Sequence, residues 1–81
     1  MAAVLEQLRE DLRARRSLPP PEMRRALREA AGVSRHRLGT TLNVSRETIR
    51  LWETGDREPS GRNLRRYLAA LELLAEEVRS T

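Results

Sequence analysis

Apolar residues recur at spacings of three and four along almost the whole chain, and no stretch alternates apolar and polar residues as a half-buried strand does. This pattern predicts an all-α protein. Three prolines in "SLPPPE" interrupt the helical pattern, because successive prolines favour extended backbone. The helix predicted before them covers about residues 3–16, and its apolar side is one stripe formed by Val4, Leu5, Leu8 and Leu12.

The second predicted helix lies between these prolines and Gly32. Pro21 suits the first helical position, and Gly32 suits the left-handed conformation that ends many helices. The helix therefore covers about residues 21–31. Its inward side is expected to consist of Met23, Leu27 and Ala30 or Ala31.

Two short helices joined by one turn residue follow, which is the arrangement of a helix-turn-helix. Ser34 and Ser45 are suited to cap the two helices, and Gly55 is suited to end the second. Asn43 tolerates the left-handed backbone that the turn between them needs. Gly39 lies where the two helices must approach closely, so the missing side chain has a use in packing there.

A last predicted helix covers about residues 61–78 and completes a compact bundle of four or five helices. Its apolar seam consists of Leu64, Leu68, Leu71, Ala75 and Val78. Tyr67 is expected at the edge of the core with its hydroxyl in water. By this interpretation, residues 1–18 form an extra N-terminal helix and the start of the proline linker, and residues 19–81 form the helix-turn-helix domain.

The fourth predicted helix has two different sides. At about 100° per residue, the side towards the core consists of Ser45, Ile49 and Trp52. The outward side consists of Arg46 on its flank and of Glu47, Arg50, Leu51 and Thr54. An arginine can pair bidentately with guanine, a glutamate can accept from cytosine N4, and a leucine can contact the thymine methyl group. This side therefore suits base edges, although a solvated charged face with one exposed leucine explains the same residues.

Positive charge is concentrated in the middle of the chain. The formal charge is 0 over residues 1–23, +6 over residues 24–66 and −2 over residues 67–81, in agreement with +4 for the whole chain. Clustered positive charge is typical of nucleic-acid-binding surfaces. All sixteen basic residues are arginines, the side chain best suited to bidentate contacts with phosphate and guanine. A GC-rich genome produces the same preference for arginine.

Metal-binding, catalytic and membrane functions are disfavoured by the sequence. Cysteine is absent, and the one histidine, His36, is expected on the surface, with phosphate contact as the second interpretation. We therefore predict neither a disulfide nor a metal site. No paired acids, glycine-rich phosphate loop or activated nucleophile stands out, so we predict no catalytic residue, no enzyme activity and no cofactor. The N-terminal segment lacks a signal-peptide pattern and a long apolar run, which predicts a soluble protein, cytoplasmic if bacterial.

The segment "LREAAGVSRHRLGTTLNVSRETIRLWETGDREPS" resembles the Cro and phage-repressor-type helix-turn-helix domain, also called the XRE family. The resemblance covers about residues 21–71 and is strongest at "GVS", "NVSRETI", "WETG" and "REPS". It implies a lambda-repressor-like bundle that binds operator DNA as a homodimer.

Position by position, the resemblance implies three groups of residues. The base-contacting group is Arg46, Glu47, Arg50 and Leu51. The phosphate-contacting group is Ser34, Arg35, Ser45, Thr48, Thr54, Arg57, Arg62 and Asn63. An ion pair that is frequent in the family implies a structural salt bridge between Arg28 and Glu53. Three positions depart from the usual pattern: Arg35 replaces glutamine, Gly39 replaces alanine and Asn43 replaces glycine.

The leading functional hypothesis is a sequence-specific regulator of transcription that binds double-stranded DNA. A repressor is favoured, with two copies on an inverted-repeat operator. The contact between copies is expected through the last helix, or through the stripe of Leu5, Leu8 and Leu12. One alternative is an antitoxin-like protein whose N-terminal helix binds a protein partner and whose DNA binding is autoregulatory. Another is an architectural accessory protein of a phage or mobile element.

Overall fold

Five α-helices joined by short connections make up the fold in the computed structural model, which describes residues 1–80. The helices are α1 (Ala2–Ser17), α2 (Pro21–Ala30), α3 (Arg35–Leu42), α4 (Arg46–Thr54) and α5 (Gly61–Ser80). The described residues contain no β-strand. The prediction of a small all-α bundle is therefore confirmed, with helix ends within one or two residues of those expected.

The turn between α3 and α4 has the geometry that its sequence predicts. Asn43 ends α3 in the left-handed conformation, with φ 59° and ψ 44°. Its neighbour Val44 donates its amide to the Gly39 carbonyl at 2.8 Å. A Cβ atom on Gly39 would lie 2.7 Å from the Val44 carbonyl oxygen, which is too close for an unshifted backbone. Glycine therefore allows the chain to fold back tightly between the two helices.

The hydrophobic core lies between α5 and the helix-turn-helix pair. Its buried side chains are Leu38, Leu42, Ile49, Trp52, Leu64, Tyr67, Leu71 and Leu74. Trp52 and Tyr67 contact each other with ring centroids 4.7 Å apart. Four of these side chains belong to α5, and the other four belong to α3 and α4.

The predicted position of Tyr67 is wrong, because the whole residue is buried and the hydroxyl is not in water. Burial raises the pKa of Tyr67, since a phenolate would be poorly solvated there. The buried side of α5 also differs from the predicted apolar seam. Leu64 and Leu71 are buried as expected, whereas the other predicted members, Leu68, Ala75 and Val78, are only partly buried.

The inward side of α2 differs in part from the prediction. Leu27 and Ala31 pack against the core as expected. Met23 is 48% exposed, whereas Arg24 and Arg28 are 4% and 7% exposed. Burying an arginine is favourable only where its charge is paired and its N–H groups are satisfied. Arg24 meets this condition by binding the Pro19 carbonyl at 2.7 Å and the Trp52 carbonyl at 2.9 Å. Its remaining N–H groups bind the Glu58 carboxylate.

The first helix packs against α5 through one side only. Ala14 is buried at 6% exposure, and Asp11 forms an ion pair with Arg65 on α5. Arg15 also donates to the Pro59 carbonyl at 3.3 Å. Residues 1–10 are all exposed. The N-terminal half of α1 therefore projects from the bundle. None of the helices formed by residues 1–80 is long and apolar enough to cross a membrane.

Candidate nucleic-acid interface

Serine caps begin the two helices of the helix-turn-helix. Ser34 Oγ accepts a hydrogen bond from the Arg37 amide at 3.0 Å, and Ser45 Oγ accepts one from the Thr48 amide at 3.0 Å. The prediction that Ser45 faces the core is wrong, since it is exposed. As the N-cap, Ser45 lies before the first turn of α4, and its side chain turns to the backbone amide of Thr48 instead of the core.

An open basin of about 460 Å³ lies where the N-terminal ends of α3 and α4 meet. Its lining consists of Arg28, Ser34, Arg35, His36, Arg46, Glu47 and Arg50. Four arginines against one glutamate give the basin a positive formal charge. The N-terminal ends of both helices add partial positive charge from unpaired amides. The basin therefore suits an anion such as a DNA phosphate.

Glu53 on α4 binds side chains from α2 and α3 and so connects these three helices beneath the basin. Arg28 on α2 donates to its carboxylate from Nε at 2.5 Å and from Nη2 at 3.0 Å. Arg35 on α3 donates from Nε to Glu53 Oε1 at 3.0 Å. The Glu53 side chain is fully buried, and that of Arg28 is 8% exposed. The ion pair expected between Arg28 and Glu53 is therefore present, with Arg35 as a second partner.

Electrostatics keep this cluster charged. Burial acts to raise the pKa of Glu53, but hydrogen bonds from Arg28 and Arg35 outweigh it and hold the pKa below the usual range. The hydrogen bonds that Arg28 donates to Glu53 in turn raise the pKa of Arg28. Because Arg35 uses its Nε on Glu53, its guanidinium is held at the edge of the basin in a fixed orientation.

Two of the predicted base-contacting residues bind each other on the outer face of α4. Arg50 donates from Nε to Glu47 Oε1 at 2.8 Å and from Nη2 to Glu47 Oε2 at 2.6 Å. The hydrogen bond from Arg50 lowers the pKa of Glu47, and the same bond raises the pKa of Arg50. The pair is exposed, with side-chain exposures of 42% for Arg50 and 60% for Glu47.

The other two predicted base-contacting residues flank this pair. Arg46 is exposed at the N-terminal end of α4, and no ion pair to it occurs within residues 1–80. Leu51 is partly buried on the neighbouring side of the helix. The outer face of α4 thus offers the guanidinium of Arg46, the guanidinium of Arg50 paired with Glu47, and the apolar side chain of Leu51.

The predicted phosphate-contacting residues fall into three sets. Ser34 and Arg35 line the basin. Ser45 and Thr48 lie at the start of α4, outside the lining of the basin, with their hydroxyls 2.9 Å apart. The third set lies after the middle of α4 and consists of Thr54, Arg57, Arg62 and Asn63, all exposed.

Thr54 belongs to the turn that ends α4. Its hydroxyl lies 3.1 Å from the Leu51 carbonyl and 3.0 Å from Asp56 Oδ2, so it is engaged within its own turn. The exposed side chains of Arg57, Arg62 and Asn63 follow this turn in the loop and at the start of α5.

Sequence reasoning missed one residue that positions the interface. Arg24 holds the C-terminal end of α4 through the Trp52 carbonyl. Its spacing of four residues from Arg28 places both on one side of α2, but the groups that bind it are distant in the sequence. His36, expected on the surface with phosphate contact as the second interpretation, is exposed and lines the basin. Residues 1–80 contain no group of histidine, cysteine or acidic side chains arranged to hold a metal ion.

These features define a helix-turn-helix DNA-binding protein: two capped helices joined by a left-handed turn, a basic basin where they meet and a polar face on the second. Residues 25–78, about two thirds of the chain, match the helix-turn-helix family. The chain belongs to this family in its Cro/C1-type, or XRE, form and is a DNA-binding regulator of that type. Comparisons with curated proteins and with solved structures give no significant match.

Proposed function

We propose that the protein is a repressor that binds an inverted-repeat operator as a homodimer. The observation that carries this proposal is the outer face of α4, where Arg46 and Arg50 lie beside the basin lined by both helix N-termini. In this arrangement the basin holds a backbone phosphate and fixes the register of α4 in the major groove. The face of α4 then reads the base edges, with Arg46 and Arg50 as donors to guanine.

A single α4 supports limited specificity, because nine residues reach only a few base pairs. Two copies related by a two-fold axis place their recognition helices in successive major grooves, about 34 Å apart. Binding in this way occupies a promoter-sized stretch of DNA and excludes polymerase. Because the protein acts on DNA, we place it in the cytoplasm if its source is bacterial.

Selection from random duplex DNA, followed by binding of the winners as salt is raised, tests the proposal. The expected result is enrichment of an inverted repeat whose half-sites lie about one helical turn apart. Affinity should fall with salt on every sequence, while the preference for the selected site persists. Binding without any enriched motif would leave only a general phosphate-binding surface and would contradict a sequence-specific regulator.

The role of α4 is tested by Arg50→Ala with Arg25→Ala as its matched control. Arg25 is exposed on α2 and pairs with Glu29 at 3.2 Å, so it resembles Arg50 in exposure and in having an acidic partner on its own helix. On the selected site, Arg50→Ala should lose roughly tenfold to a hundredfold in affinity and relax the preference at one position. Arg25→Ala should change affinity little. Equal losses on selected and random DNA would remove Arg50 from the base-contacting group.

A further inference from the structure

Arg35 lies between the buried Glu53 and the open basin. It is the first residue of α3, and its side chain is 32% exposed, whereas that of Glu53 is fully buried. The Nε–H group of Arg35 donates to Glu53 Oε1 at 3.0 Å, and its Nη1 and Nη2 groups bind no atom of residues 1–80. A guanidinium has five N–H groups, so four of them remain for another acceptor. Arg35 is therefore anchored in the protein and still has donors for a ligand in the basin that it lines.

Arg28, the other partner of Glu53, has no comparable edge left. Its Nε and Nη2 bind the carboxylate, and its Nη1 donates to the Val33 carbonyl at 2.8 Å. Two arginines against one glutamate leave these three side chains with a formal charge of +1. Because Arg28 already neutralises Glu53, the charge of Arg35 is the one that remains for an anion.

We propose that Glu53 is a positioning residue for DNA binding, which holds Arg35 through Nε so that both Nη groups bind one DNA phosphate in the basin. The Nη1–Nη2 edge of a guanidinium offers two parallel N–H groups, and this is the geometry in which arginine binds phosphate. The inference rests on the DNA binding of the proposed function, but it requires neither a preferred sequence nor a dimer. It gives the buried carboxylate a part in recognition as well as in stability.

The benefit of the anchor is a lower entropy cost on binding. An exposed arginine loses rotational freedom when it binds a phosphate. Arg35 has lost part of this freedom already in the folded protein, because its Nε is bound to Glu53. Salt screens a bond to a buried carboxylate much less than one to a surface acid, so the anchor should persist in physiological salt. Orienting one such side chain beforehand should raise the affinity for DNA about twofold to tenfold.

Arg35→Lys tests the orientation, because lysine keeps the charge but lacks the planar guanidinium that can bind an acid and a phosphate on two edges. Binding is measured on the selected site and on a random duplex. Arg35→Lys should lose about twofold to tenfold in affinity on both, since phosphates carry no sequence information. Arg35→Ala should lose more and reduce the salt slope by about 1. Wild-type affinity of Arg35→Lys would overturn the proposal, because charge alone would then explain the contact.

Arg37→Lys is the matched control for this substitution. Arg37 is exposed on the same helix and lies outside the lining of the basin. The control should bind both duplexes like the wild type. A loss in Arg37→Lys as large as that in Arg35→Lys would contradict a special role for Arg35.

A double-mutant cycle tests the part played by Glu53. If only charge matters, Glu53→Gln should strengthen binding, because a negative charge is removed. Loss of the anchor should instead weaken binding about twofold to tenfold in the presence of Arg35 and change little in the Arg35→Ala background. A purely structural defect would weaken binding equally in both backgrounds. Equal losses, or tighter binding of Glu53→Gln, would therefore overturn the positioning role.

The anchor can also be tested without changing Glu53. Circular dichroism checks that Glu53→Gln is folded at the assay temperature, and if it is not, NMR relaxation of the arginine Nε–H groups in the wild type decides. The Nε–H group of Arg35 should be as rigid as that of Arg28. An Arg35 as mobile as the exposed Arg37 would overturn the anchor.

The outcomes separate this inference from the proposed function. If no sequence is selected, but Arg35→Lys weakens binding to a random duplex and the cycle shows coupling to Glu53, the positioning role stands and the sequence-specific regulator fails. If a site is selected and Arg35→Lys binds it like the wild type, the regulator stands and the positioning role fails.

Discussion

Arg50 donates two hydrogen bonds to Glu47, at 2.8 and 2.6 Å, across less than one turn of the recognition helix. The pair uses the Nε–H group and one N–H group of Nη2, so it leaves the outer edge formed by Nη1 and Nη2 for another acceptor. In the proposed function, Arg50 can therefore contact guanine through that edge while Glu47 holds the guanidinium in one orientation. A fixed orientation favours the base whose acceptors match it, so the pair should increase discrimination between sequences.

Removing Glu47 should raise the affinity for DNA of any sequence and lower the preference for the selected site. In Glu47→Ala, Arg50 is released and one negative charge leaves the DNA-facing surface, so binding to random DNA should strengthen several-fold. Preference for the selected site should shrink. Competition binding at fixed salt measures both effects, and Glu29→Ala, which frees Arg25 on α2, controls for net charge. An equal gain in Glu29→Ala would mean that Glu47 acts only through the total charge.

The buried Glu53 should be a large contributor to stability. Glu53→Gln removes the charge that Arg28 and Arg35 share, which leaves a buried guanidinium without its counter-ion. Breaking such a pair costs about 3 kcal/mol. Urea unfolding at neutral pH should show a lower midpoint with an unchanged slope, whereas Glu29→Gln on the surface should be close to wild type. A loss as small as that of Glu29→Gln would show that the buried cluster is not stabilising.

The same carboxylate should make folding sensitive to acid. The pKa of Glu53 is lowered in the folded protein from the ordinary value of 4.5. Its contribution is therefore complete above that ordinary value and is lost as the pH falls through the lowered one. The difference in unfolding free energy between wild type and Glu53→Gln should be constant near neutral pH and shrink below about pH 4.5. A difference that grows on acidification would contradict the direction of this shift.

The turn residue Asn43 should tolerate glycine and not alanine. With φ at 59°, the residue is in the left-handed region, where a Cβ atom without a compensating polar group is unfavourable. Asn43→Ala should lose about 1 kcal/mol of unfolding free energy, and Asn43→Gly should match or exceed the wild type. Thermal or urea unfolding of the three proteins side by side decides this. Equal stability of the alanine and glycine variants would contradict a strained turn.

The helices and the turn were predictable because their signals are local. Ser34, Asn43, Ser45 and Gly55 each act on the backbone within a few residues of themselves, so the sequence alone fixes their roles. The burial of Arg24 and Arg28 in place of Met23 was not predictable in this way. The acids that make it possible, Glu58 and Glu53, lie 34 and 25 residues further along the chain.

The residues on the outer face of α4 could be predicted from the sequence, but the contacts between them could not. The outward position of Arg46, Glu47 and Arg50 follows from helical periodicity. Their pairing does not, because a spacing of three residues permits the bond between Glu47 and Arg50 without requiring it. The sequence also did not predict which side of α1 contacts α5. The leucines suggest burial more strongly than a single alanine does, yet Ala14 is buried and the leucines are exposed.

Arg24 holds α4 through the carbonyl oxygen of Trp52, an acceptor that any residue at that position provides. Arg28 holds α4 through Glu53, whose side chain is fully buried. Neither anchor involves the outward residues of α4, so those residues can mutate without loosening the bundle. In the proposed function, a lineage carrying this scaffold can therefore acquire a new operator by changing a few surface positions, and the cost in stability stays small.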